Sequence, residues 1–136
     1  MRLELTKRAD YAIRTVLVLA RAPRSERRSV REVAAEQAIP VRFLPQVMRL
    51  LVQAGLVEGT VGRTGGYRLA KPSTAISLLD VVEAMEGDSR RRVCILRGGP
   101  CALDGVCDVH AVFAAAQDDV LRRLGRTTLA DAIAVD

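Results

Sequence analysis

Apolar residues recur at three- and four-residue steps near the start of the chain, at Ala9, Ala12, Ile13, Val16, Leu17 and Ala20. That period predicts a helix over residues 6–21 with one buried face. Thr6 stands where an N-cap hydroxyl is favoured, and Asp10 in the first turn suits the helix dipole. Lys7, Arg8 and Arg14 lie off the apolar stripe. Residues 22–28 are polar and read as a turn. Ser29, followed three positions later by Glu32, predicts a capping box in which the Glu32 carboxylate reaches back to the N-cap. The helix it opens runs to about Gln37, and Ala38-Ile39-Pro40 turns the chain. A third helix follows, with Phe43, Leu44, Val47, Met48 and Leu51 on its buried stripe and Gly55 as its stop. A short helix, a tight turn and a longer helix make a helix-turn-helix. Arg42, Gln46 and Arg49 share the opposite face of that third helix.

After Gly55 the period shortens. Residues 56–61 and 67–70 predict two short strands around the glycine-rich turn 62–66, a wing with Arg63 at its tip and Tyr67 opening the return strand. Ser77 to Glu86 is a further amphipathic helix, ended by Gly87. From about Asp108 a long helix reaches Leu124, with Val109, Val112, Phe113, Ala116, Val120 and Leu124 as its stripe and Gly125 as its end. Thr127 to Ile133 adds a last capped turn. The expected fold is mainly α: a winged helix-turn-helix (residues 1–72), a linking helix and cysteine-rich loop (73–107), and a dimerisation helix with its tail (108–136). The long helix carries more apolar surface than so small a chain needs, which points to a homodimer on two DNA half-sites.

Charge sharpens this picture. Residues 1–72 hold 14 Lys and Arg against 6 Asp and Glu, while residues 73–136 hold 7 against 10. A basic half carrying a helix-turn-helix implies a polyanion partner, double-stranded DNA first. Arg and Gln suit base edges in the major groove, and an arginine at a wing tip suits the minor groove. Lys7, Arg8 and Arg14 are candidates for phosphate contacts. Arg14 and Arg21 bracket the most hydrophobic helix, so no apolar run reaches spanning length. With no signal-peptide layout, a cytoplasmic protein is expected. A single histidine, no phosphate loop and no Ser/His/Asp set argue against an enzyme and a small-molecule substrate.

The remaining chemistry is concentrated in one stretch. All 3 cysteines and the 1 histidine fall in Cys94-x6-Cys101-x5-Cys107-x2-His110. Gly98, Gly99, Pro100 and Gly105 interrupt any regular element there, so the stretch reads as a loop. Thiolates and an imidazole on one loop can converge on a metal. Structural zinc sites space their ligands more tightly, and wide gaps suit an iron–sulfur cluster. Zinc, a thiol–disulfide switch and an electron-carrier role stay open beside it.

The segments LTKRADYAIR, IPVRFLPQVMRLLVQAGLV, GTVGRTGGYRLAK, SLLDVVEAMEG, the cysteine loop and TTLADAI together resemble the Rrf-type winged-helix regulators. That family includes the iron–sulfur regulator IscR and the nitric-oxide sensor NsrR. The resemblance implies a dimeric DNA-binding transcription regulator, read here as a repressor, gated by a 2Fe–2S or 4Fe–4S cluster. It implies Cys94, Cys101 and Cys107 as cluster ligands. The fourth would be His110 on the IscR pattern, or Asp10 of the partner subunit on the NsrR pattern. The chain departs from the family in three places. Its first cysteine gap is six rather than five. Pro45 stands where many members carry Glu, so the recognition helix must start late or bend. The wing reads Val61-Gly62-Arg63, with Gly before Arg.

Overall fold

The computed structural model describes residues 4–63, 65–87 and 108–134. Helix α1 (Lys7–Arg21) starts at the expected cap, where the Thr6 hydroxyl accepts from the Ala9 N–H at 3.2 Å. Helix α2 (Val30–Gln37) follows, and Ala38 closes it in the left-handed region at φ 53°. A 3-10 turn over Val41–Phe43 leads into α3 (Leu44–Gln53). Strands β1 (Val57–Thr60) and β2 (Gly66–Leu69) pair antiparallel, with Gly59 opposite Tyr67. Helices α4 (Leu78–Glu86), α5 (His110–Arg126) and α6 (Leu129–Ile133) complete the described chain.

One core joins these elements around α1. Ala9, Ala12 and Val16 of α1 are fully buried, together with Val33 of α2, Leu44, Met48 and Leu51 of α3, and Val81 of α4. Tyr11, Val18 and Leu19 are buried as well, so α1 is covered over a wider arc than its simple stripe predicts. The reason is its position, since α2, α3, β2, α4 and α6 all pack on it. Leu129 of the short α6 is also fully buried in this core, as is Ile76.

A two-residue lock holds α6 there. Ser77 and Thr128 form an antiparallel bridge, with Leu78 N–H donating to the Thr127 carbonyl and Leu129 N–H to the Ile76 carbonyl, each at 2.9 Å. Ser77 and Thr128 are at the same time the N-caps of α4 and α6, each with a complete capping box, to Asp80 and to Asp131.

Three local expectations are corrected. The Ser29 hydroxyl does accept from the Glu32 N–H at 3.1 Å, but the Glu32 carboxylate accepts from Arg28 at 2.9 Å instead of closing the box. A charge-assisted bond to a guanidinium outcompetes one to a neutral N–H. Phe43 is not on the buried stripe of α3; it sits in the preceding 3-10 turn and is 43% exposed. Gly125 does not end the long helix, which continues to Arg126. A Cβ at Gly125 would lie 3.4 Å from Leu79 Cδ2, an ordinary van der Waals contact.

Residues 22–28 hold more than a turn. Arg28 and Tyr67 exchange backbone hydrogen bonds of 2.9 and 2.8 Å, adding a third position to the edge of the wing. Gly66 makes this possible. Its φ is +141°, and a Cβ there would meet the Arg28 carbonyl oxygen at 2.9 Å.

Candidate nucleic-acid interface

Pro45 defines where the recognition helix begins. It occupies the first turn of α3, where its missing N–H is no loss and its fixed φ suits a helix. The 3-10 turn leads directly into α3 at Leu44, one residue before the proline. Arg42, Pro45, Gln46 and Arg49 are therefore exposed together at the N-terminal end of α3, while Leu44, Val47 and Met48 anchor its other side. The N-terminal residues of a recognition helix are the ones that meet base edges.

Beside this face stands the wing. Arg63 is exposed at its turn. Tyr67 lies half-buried across Gly59, where a Cβ would come within 2.7 Å of its ring. An open cleft of about 560 Å³ separates α3 from the wing, lined by Pro45, Arg49, Val52, Thr60, Val61 and Tyr67 among others. The fold thus brings the α3 side chains and Tyr67, far apart in sequence, to one surface.

The cations on this side are not equivalent. Arg28 binds Glu32 and Glu36, at 2.9 and 2.6 Å, and these hydrogen bonds raise its pKa. Arg68 binds Glu58 across the wing, and that hydrogen bond holds the Glu58 carboxyl below the usual range. Both guanidiniums are internally neutralised. Lys7 and Arg8 are exposed in the first turn of α1. Arg14 is engaged: it donates to the Gln37 carbonyl at 3.0 Å and to the Asp10 carboxylate at 2.8 Å, tying α1 to the end of α2.

An aromatic row joins the two helical ends. The Lys7 ammonium and the Arg14 guanidinium lie 5.9 and 5.2 Å from the Tyr11 ring centroid. The Tyr11 and Phe43 rings are 5.9 Å apart, and the Arg42 guanidinium lies 4.9 Å from the Phe43 ring. Sequence reasoning missed Tyr11 and placed Phe43 in the core. The scarcity of aromatics, at 3% of the chain, was the available signal.

Of the expected metal ligands, Cys94, Cys101 and Cys107 lie outside the described residues. His110 is the first residue of α5 and half-buried, and no other described residue hydrogen-bonds its imidazole. Among the described residues no group of three or more His, Cys, Asp or Glu is placed to hold a metal. Nor, among them, is any helix long and apolar enough to cross a membrane.

The family profile of Rrf2, described as an iron-dependent transcriptional regulator, matches residues 5–135. The chain belongs to the Rrf2 family. It is 32% identical over 129 residues to protein rrf2 of Nitratidesulfovibrio vulgaris, covering 95% of this chain and 86% of that one. It is 35% identical over 130 residues to the HTH-type transcriptional regulator NsrR of Halalkalibacterium halodurans, covering 95% and 89%. The global cysteine regulator CymR of B. subtilis superposes with a TM-score of 0.83 at 24% identity, covering 99% of each chain. IscR of T. potens does so with a TM-score of 0.77 at 23% identity, covering 96% and 86%. This Rrf2-family protein is a winged helix-turn-helix DNA-binding regulator.

Proposed function

We propose that this Rrf2-family regulator binds its operator as a homodimer, with affinity set by an iron–sulfur cluster on Cys94, Cys101, Cys107 and His110. The observation that carries this reading is the collection of every cysteine and the only histidine within residues 94–110 of a chain whose family is described as iron-dependent. The donor set fits: thiolates and an imidazole are cluster ligands. His110 is favoured as the fourth donor over Asp10 of the partner subunit. Its imidazole has no competing partner among the described residues, whereas the Asp10 carboxylate is held by Arg14 at 2.8 Å.

A bound cluster supplies a centre that oxidants or nitric oxide can modify. The protein's part is mechanical. His110 opens α5, whose far end is locked to the DNA-binding core through Thr127, Leu129 and the α6 cap. Whatever holds or releases His110 therefore acts on a helix already fastened to that core. On the outer side of α5, Val109, Val112 and Val120 are 38%, 69% and 43% exposed, an apolar line suited to a second copy. On the DNA side, Arg42, Gln46 and Arg49 serve the major groove, Arg63 and Tyr67 the wing contact, and Lys7 and Arg8 the phosphates. Arg14 reaches phosphate only by giving up the Gln37 carbonyl.

The test is iron, acid-labile sulfide and zinc per chain on anaerobically purified protein, followed by footprinting of the loaded and stripped forms. Equimolar iron and sulfide with unequal footprints is the expected result. Zinc alone, or equal footprints, overturns the cluster switch. A thiol–disulfide switch is the second reading, favoured by the similarity to the oxidised form of Staphylococcus aureus CymR, at 25% identity and a TM-score of 0.75. Peroxide-dependent, dithiothreitol-reversible loss of DNA binding in metal-free protein would support it.

A further inference from the structure

Phe43 is a large apolar residue that the core does not enclose. It is 43% exposed, lies outside the buried core, and precedes the helix whose apolar side is filled by Leu44, Val47, Met48 and Leu51. Its ring nonetheless has two partners. One is the Tyr11 ring, 5.9 Å away and tilted by 34°, on a residue only 8% exposed. The other is the Arg42 guanidinium at 4.9 Å, within cation–π range. Tyr11 is itself fixed in α1, with Lys7 and Arg14 against its ring.

We infer that Phe43 is a positioning residue for Arg42: the buried Tyr11 holds the Phe43 ring, and the ring presents the Arg42 guanidinium at the leading end of the recognition helix. The physical advantage is entropic. A free arginine loses its rotamer freedom on docking against DNA, and one already stacked on an aromatic face has lost part of it beforehand. A guanidinium that packs its face on a ring keeps its edge, which carries the N–H donors, free for a phosphate or a guanine. The inference rests on Arg42 contacting DNA.

The experiment is a double-substitution cycle. Affinity is measured for the wild type, Phe43→Ala, Arg42→Ala and the double variant on a duplex selected by the wild type from a randomised pool. Phe43→Ala is expected to weaken binding about three- to fivefold, the size of one exposed cation–π contact. On the Arg42→Ala background it is expected to cost nothing further. Phe43→Tyr, which keeps the ring, restores the wild-type value. Arg42→Ala lowers the slope of log affinity against log salt by about 1 if its partner is a phosphate and changes base preference at one position if its partner is a base. Equal losses with and without Arg42, or no loss for Phe43→Ala, would overturn the positioning role while leaving DNA binding intact. Failure of the wild type to select any sequence removes both this inference and the operator-binding reading. Urea midpoints for all variants separate a folding fault from a binding one.

Discussion

Glu58 and Arg68 face each other across the two strands of the wing, and their pairing depends on the carboxylate being charged. The Glu58 pKa is lowered from its ordinary 4.5, first by the hydrogen bond from Arg68 and then by its charge. A group whose folded pKa is depressed contributes stability that is complete above the unfolded value and disappears as pH falls through the folded one. Wild type and Glu58→Gln should therefore differ in wing protection, by amide exchange, at neutral pH and converge as pH drops below 4.5. A difference that persists at low pH would assign the effect to shape rather than charge. The same scale shows what sequence reading does well. Thr6 is the N-cap expected of it, because a cap is decided by residues within three positions of one another; Ser77 and Thr128 cap α4 and α6 by the same local rule. Glu32 escaped that logic because its partner was Arg28, on the other side of the cap.

At the scale of elements, periodicity and capping signals located each α-helix of the described chain, but not every face and neither of the 3-10 turns. The apolar positions of α5 separate into two lines once the helix is packed. Phe113, Leu121 and Leu124 are half-buried, while Val112, Ala116 and Val120 remain exposed. A stripe read from sequence cannot tell a surface that α4 covers from one that a second copy covers. Val112→Glu with Val120→Glu places charge on the exposed line alone. The paired variant should keep its urea midpoint, sediment as a monomer and lose operator affinity by well over tenfold, because two half-sites are no longer bound together. A dimer that survives both substitutions would rule out this face. Gly125 belongs here too: a glycine near a predicted helix end is read as a stop, whereas α5 continues one residue past it to Arg126.

For the whole molecule, the notable connection is between its last described helix and its first. Leu129 is separated from α1 by more than a hundred residues of sequence, yet it is fully buried in the core built on that helix. Leu129→Ala should cost about 2–5 kcal/mol of unfolding free energy, as deletion of a buried leucine side chain does. Circular dichroism and a fluorophore placed on α2 should report the same shifted urea midpoint. Two separated transitions would mean that α6 is an accessory to the winged helix rather than part of its core. The arrangement also bears on regulation, because a helix fastened at one end to the DNA-binding core can transmit what happens at the other.

The amino-acid sequence by itself determined the helices and their caps, the wing and its turn, the basic first half, and the gathering of Cys94, Cys101, Cys107 and His110 into one stretch. These follow from interactions within a few residues, from composition, or from spacing, all of which a linear string carries. Only the tertiary structure decided that Phe43 is exposed yet packs on Tyr11, that Arg14 is bound to the end of α2, that Arg28 extends the wing, and that Leu129 closes the core. Each of these depends on groups tens of residues apart or more. Burial and pairing at such distances arise only when the elements are packed, so no local pattern could announce them.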